Sequence, residues 1–154
     1  MNDKIIFLDF DGVLNTEHYQ GLLQYQGEPW QNEYGALFDP NAVKQLKRII
    51  DATDADIVVE SSWKYLGLDA MKELWKVRNL PGKIIDITPS LVGESKGVEI
   101  ASWLSEHGKQ DTRYVIIDDE YVILDSQLSH FILTNPYEGI TEEQANRAIS
   151  MLNE

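Results

Sequence analysis

The apolar run Ile5-Ile6-Phe7-Leu8, led by Lys4, ends in Asp9-Phe10-Asp11-Gly12. An unbroken run of this kind suits a parallel strand buried on both faces. Carboxylates at the carboxyl end of such a strand emerge in the crevice where open α/β sheets bind their ligands. Side chains alternate along an extended backbone, so Asp9 and Asp11 can point to the same side of the exit. Two like charges held that close either share a proton or hold a cation between them. Gly12 supplies a sharp turn through φ values that other residues avoid. A strand followed by an ordinary Asp-Gly turn would look the same locally, so the reading depends on what the other strand ends carry.

Two further apolar runs end in polar groups. Asp56-Ile57-Val58-Val59 leads into Glu60-Ser61-Ser62-Trp63-Lys64, and Arg113-Tyr114-Val115-Ile116-Ile117 leads into Asp118-Asp119-Glu120. Between and around them the pattern turns helical. Asp39-Pro40 gives an N-cap followed by proline at the first helical position, with Val43, Leu46, Lys47 and Ile50 following at one-face spacing. A helix is predicted over about 69–78, with Met71, Leu74 and Trp75 inward, and another over about 95–106, with Lys96 in its first turn. Ile84 to Ile87 reads as a short strand, and Phe131-Ile132-Leu133 as an edge strand. Thr141-Glu142-Glu143-Gln144 is a capping box opening a last helix. Thr16 to Phe38 has no clean periodicity and reads as an irregular flap or small insertion. Alternation of strand and helix predicts a single α/β domain over 1–154, with a mainly parallel sheet and helices on both faces.

Composition narrows the function classes. The 154 residues include no cysteine, which removes thiol nucleophiles, disulfide scaffolds and cysteine-ligated zinc, and fits a reducing, cytoplasmic setting. No twenty-residue apolar segment is present and the N-terminal run is broken by Asp9 and Asp11, so neither a signal peptide nor a membrane span is expected. The net charge of −13 repels polyanions at long range, so strong duplex binding is not expected. Small phosphorylated molecules, nucleic-acid ends and phosphoprotein side chains remain as candidate substrates.

In a parallel sheet the three polar exits share one edge. Asp9, Asp11, Asp118 and Asp119, the hydroxyls of Ser61 and Ser62, and the ammonium of Lys96 would then converge in one crevice. A divalent cation would relieve the repulsion, and an all-oxygen ligand set suits magnesium rather than zinc. A carboxylate nucleophile, a second carboxyl to move protons, a hydroxyl and a lysine beside Mg2+ are the requirements of phosphoryl transfer through an aspartyl-phosphate. Taken singly, Ser61 and Ser62 could cap the next helix, Lys96 could be a surface lysine, and Asp118-Asp119 a solvated turn. His18, His107 and His130 have no ligand spacing, and Trp75 and Trp103 sit at helical core positions. Trp30 and Tyr34 in the flap are the aromatics placed to stack a base.

These residues resemble the motifs of the haloacid dehalogenase-like (HAD) phosphohydrolases. Asp9-Phe10-Asp11-Gly12-Val13 is similar to the first motif, which implies Asp9 as nucleophile and metal ligand. It also implies Asp11 as general acid/base, with its backbone carbonyl on the metal. Ser61 resembles the second-motif hydroxyl that binds the phosphoryl group, with Ser62 the alternative by one residue. Lys96 resembles the third-motif lysine, and Asp118 with Asp119 the fourth-motif acidic pair that completes the Mg2+ site. More narrowly, Phe38-Asp39-Pro40, Val58 through Lys64, and Thr134-Asn135-Pro136 with Gly139-Ile140-Thr141 resemble the HAD domain of bacterial Swiss-army-knife RNA-repair proteins. Glu60 and Lys64 depart from that pattern, where an apolar or small residue and an arginine would be usual. Lys64 is a candidate substrate contact.

The resemblance implies a three-layer Rossmann-like HAD fold with a small cap or none, and a magnesium-dependent phosphatase acting on a nucleotide or nucleic-acid-end phosphate. Two alternatives stand beside it. One is a HAD enzyme of another reaction type, against which the acidic pair Asp118-Asp119 and the short flap argue for the dehalogenase and the phosphomutase respectively. The other is a non-catalytic module that holds phosphate or metal on the same scaffold.

Overall fold

The computed structural model describes residues 3–154. Its centre is β1 (Lys4–Leu8), whose Ile5, Ile6, Phe7 and Leu8 are fully buried. To one side lie β4 (Asp56–Val59) and β5 (Ile84–Ile87), and to the other β6 (Arg113–Asp118) and β7 (Phe131–Leu133), giving the order β5-β4-β1-β6-β7 with every pairing parallel. The chain winds outward from β1 through β4 to β5 and then returns to the other side of β1 at β6. The strand order therefore reverses between β1 and β6, the position where open α/β sheets form their ligand crevice.

Period-two alternation divides β1 between two cores. Ile6 and Leu8 join the cluster under α2 (Pro40–Thr53), α3 (Leu68–Val77) and α5 (Glu142–Asn153). Ile5 and Phe7 join Ile100 and Trp103 of α4 (Lys96–His107) on the opposite face. Helix–sheet–helix layering follows, as the alternating elements imply. The Asp39 side chain accepts from the Asn41 N–H ahead of Pro40, and Thr141 with Gln144 closes the capping box of α5. Among the described residues no helix is long and apolar enough to cross a membrane.

The stretch read as an irregular flap is more ordered than the sequence implies. It forms α1 (Glu17–Tyr25), capped by Thr16, and a two-stranded antiparallel ribbon of β2 (Gln31–Asn32) and β3 (Gly35–Ala36). Within α1 only Leu23 is buried, so the helix carries almost no apolar stripe by which its period could be read. Thr16 Oγ1 donates to Asp39 Oδ2 at 2.7 Å, which joins the two ends of this excursion. Arg78, at the end of α3, holds the ribbon. Its guanidinium donates to the carbonyls of Ala36 and Gly35 at 2.8 and 3.0 Å and to Asn32 Oδ1 at 3.1 Å, and it lies 4.8 Å from the centre of the Phe38 ring.

Candidate functional site

Ladder bonds carry the backbone past the ends of β1, β4 and the edge strand β7. Asp9 N–H donates to Ile117 O, Glu60 N–H to Leu8 O, and Thr134 N–H to Asp118 O. These bonds place Asp9, Ser61 and Asp118 together at the carboxyl edge of the sheet. Asp9, Asp118 and Asp119 each offer a carboxylate oxygen, and the three oxygens lie within 4.8 Å of one another. Lys96 projects from the first turn of α4 between them, 2.9 Å from Asp118 Oδ2 and 3.5 Å from Asp9 Oδ2.

The electrostatics follow from burial. Asp9 is 4% exposed, and burial together with the neighbouring Asp118 pushes its carboxyl up to about 8, against the pull of Lys96 and of the Phe10 N–H that it accepts at 2.8 Å. Burial also raises Asp119. Burial alone would lower Lys96, but Asp9 and Asp118 outweigh it and hold the ammonium charged. Three hard oxygens with no nitrogen or sulfur donor, carrying more negative charge than one lysine offsets, fit a divalent cation of the oxygen-seeking kind.

Gly12 shapes the approach. Its φ is +77°, and a Cβ at that position would run into the Asp119 carboxylate, so both the turn and the contact require glycine. Thr134 Oγ1 donates to Gly12 O at 2.8 Å, which ties the exit of β7 to the loop after β1.

The serine pair is divided. Ser61 is 1% exposed and its Oγ accepts from Trp63 N–H at 3.2 Å, capping the 3-10 turn Ser62–Leu66, while Ser62 is exposed at the rim. Asp11 is exposed at the mouth of the site, where its Oδ1 accepts from Asn15 Nδ2 at 2.7 Å and from Trp63 Nε1 at 3.2 Å. Neither Asn15 nor Trp63 stood out from the sequence as a partner of Asp11. The Asp-Gly turn made Asn15 detectable in principle, whereas Trp63 reaches Asp11 from another strand exit.

Lys64 requires a correction. Rather than reaching toward a substrate, its ammonium is buried among Glu60 Oε2 at 3.1 Å, Glu99 Oε1 at 3.0 Å, Thr88 Oγ1 at 2.8 Å and Pro89 O at 3.2 Å. The two departures from the family pattern, Glu60 and Lys64, are thus partners in one internal cluster, with Glu99 from α4 as the third member. Burial, and next the hydrogen bond with Glu99, push the Glu60 carboxyl up to about 8. For Glu99 burial acts upward too, but the bonds from Glu60, the Leu91 N–H and Lys64 bring it below the usual carboxylate range. The shared proton therefore sits on Glu60, and Glu99 carries the charge that faces Lys64. Between an unfolded value of 4.5 and a folded value of about 8, the folded chain keeps a proton that the unfolded chain has lost. The stability from this group is full below that window and falls as pH rises through it. Glu60→Gln should flatten the decline in urea midpoint between about pH 5 and about pH 8; an unchanged slope would place the proton elsewhere.

The flap aromatics occupy different places. Trp30 lines a cavity of about 310 Å³ together with Asp11, Asn15 and Asp119, whereas Tyr34 lines a neighbouring groove of about 610 Å³ with Trp63, Tyr65 and Leu66. A larger cavity of about 830 Å³, lined by Asp54, Asp56, Lys83 and His107, lies at the opposite edge of the sheet, away from the carboxylates. His18 stacks obliquely on Tyr137, and His130 lies against Tyr114.

The family described as "HAD domain in Swiss Army Knife RNA repair proteins" has a model that matches residues 5–145. No curated protein matches the chain.

Proposed function

Because the chain belongs to the family of HAD domains found in Swiss Army Knife RNA repair proteins, we propose that it is a magnesium-dependent phosphatase that hydrolyses a phosphate monoester through an aspartyl-phosphate. The observation that carries this reading is the junction of Asp9, Lys96 and Asp118, with Asp119 beside them, at the point where the strand order reverses.

Asp9 attacks phosphorus. The bond from phosphorus to the ester oxygen breaks, its electron pair leaves with that oxygen, and Asp11 supplies the proton that makes the product an alcohol. Asp11, now a carboxylate, takes a proton from water as the water attacks the phosphoryl group. The bond to Asp9 breaks and inorganic phosphate is released. Lys96 holds the attacking carboxylate and faces the phosphoryl oxygens, and the Ser61 hydroxyl donates to one of them, with exposed Ser62 its one-residue alternative. Asp9, Asp118, Asp119 and the backbone carbonyl of Asp11 would hold Mg2+, which supplies positive charge against the carboxylates and the phosphoryl oxygens.

The substrate class that fits is a phosphate carried by a nucleotide or at a nucleic-acid end. The cavity beside Asp11 is small and bordered by Trp30, and the net charge of −13 disfavours a long polyanionic track. A reducing intracellular setting fits the absence of cysteine.

Phosphate release from an aryl phosphate, followed with Mg2+ and with chelator, tests the reaction. Release that needs the metal supports it. Silence on that ester and on a panel of nucleotides and 3′- or 5′-phosphorylated oligonucleotides, with Mg2+-dependent binding of the same ligands, would favour a non-catalytic binding module. Asp118→Ala should shift the Mg2+ titration to higher concentration by about tenfold or more, as loss of an oxygen ligand or of its immediate support does; an unshifted titration would assign the metal to Asp119 instead.

A further inference from the structure

The Asp11 carboxyl is gripped by one oxygen. Asn15 Nδ2 and Trp63 Nε1 both donate to Oδ1, at 2.7 and 3.2 Å. An indole N–H can only donate. The Asn15 amide is oriented by its other end, since its Oδ1 accepts from Gly12 N–H at 3.0 Å. Both donors are thus fixed in kind, and together they occupy the two lone pairs of Asp11 Oδ1.

The donors are also fixed in place. The Trp63 ring meets Phe10 edge-on with centroids 5.3 Å apart and lies 5.7 Å from Phe38. Its outer edge is covered by Gly35, where an added Cβ would come within 2.7 Å of Cη2. Asn15 closes the loop after β1 with a bridge to Asp11 and a backbone bond from Gly12 N–H at 2.9 Å.

We infer that Asn15 and Trp63 are positioning residues for the general acid, which hold Asp11 through Oδ1 and thereby assign proton transfer to Oδ2. With Oδ1 saturated by N–H donors, the acid proton resides on Oδ2, passes from there to the departing ester oxygen, and leaves a carboxylate still held at Oδ1. A carboxyl free to rotate would divide its proton between two oxygens and several directions. The tryptophan comes from the exit of β4 and is covered by the ribbon, so the aim of the acid depends on the ribbon being in place.

This inference rests on the phosphatase reading, and leaving-group dependence tests it. Nitrophenolate departs with little help from an acid, whereas the alkoxide of benzyl phosphate needs a proton as the bond breaks. The quantity to compare is kcat/KM for 4-nitrophenyl phosphate and benzyl phosphate, which reports the steps up to release of the alcohol. Trp63→Phe keeps an aromatic ring against Phe10 and Phe38 and loses the N–H. Asn15→Ala loses the other donor while the backbone bond to Gly12 stays available.

Each variant should shift the ratio of the two kcat/KM values against benzyl phosphate by about tenfold, part of the 10²–10⁴ that a positioned acid contributes. Asp11→Asn should shift it further in the same direction. Equal losses on both esters, or none, in the folded variants would overturn the positioning role and leave the phosphatase reading intact. A wild-type protein inactive on both esters and on the panel of nucleotides and phosphorylated oligonucleotides would overturn both. Should Trp63→Phe fail to fold, the ratio in Asn15→Ala decides.

Discussion

Asp9→Asn is expected to cut phosphate release by at least about 10⁴-fold while leaving the thermal transition in place, as loss of a nucleophile does when binding and electrostatic groups survive. Asparagine keeps the shape of the side chain and its acceptor for Phe10 N–H, but its amide does not attack phosphorus. The variant also removes a buried carboxyl that burial and Asp118 hold near 8, so the unliganded fold should gain rather than lose stability toward neutral and alkaline pH. That combination separates a chemical role from a structural one. Retained turnover would end the aspartyl-phosphate mechanism, and lost turnover with a collapsed melt would show that Asp9 holds the sheet edge together.

The largest effect on stability is expected at Lys64. Lys64→Met keeps much of the aliphatic stem and deletes the ammonium that serves Glu60, Glu99, Thr88 and Pro89 at once. Removing one partner of a buried charge cluster leaves the rest uncompensated and typically costs about 3–5 kcal/mol. Equilibrium denaturation would measure the loss. Adding Glu60→Gln to Lys64→Met should recover little, because Glu60 is already the protonated member at neutral pH. Adding Glu99→Gln should recover more, because Glu99 bears the stranded charge. The reverse order of rescue would move the proton to Glu99. The cluster spans two elements of the site, since Glu60 precedes Ser61 and Glu99 lies one turn beyond Lys96. Turnover should therefore fall with stability although Lys64 is buried and occupied by its internal partners.

Strand exits were legible because their signal is local. An apolar run that stops at a carboxylate requires nothing beyond five or six consecutive residues to be noticed, and Asp9, Ser61 and Asp118 all announce themselves in that way. A mainly parallel sheet with helices on both faces then followed from the alternation of strand with helix, whereas strand order and register came only with the structure. What depended on distant partners was not legible. Lys64 next to an exit reads as a candidate substrate contact until Glu99, thirty-five positions later, is folded onto it. Trp63 reaches Asp11 across fifty-two positions through a hydrogen bond that no periodicity encodes. Helix α1 escaped for the opposite reason: it buries too little to imprint a stripe, so its capping threonine was the only cue.

Arg78 gives the entrance its character. With its guanidinium fastened to two ribbon carbonyls and an asparagine and laid against Phe38, the small roof over the mouth is bolted to the body of the domain. It behaves as an awning, fixed above an open doorway. On the phosphatase reading, a phosphate at the tip of a bulky molecule would enter without a lid having to swing aside. On that reading, selection among such molecules would fall to the width of the opening and the surfaces beside it, and release of the spent product would need no conformational clock.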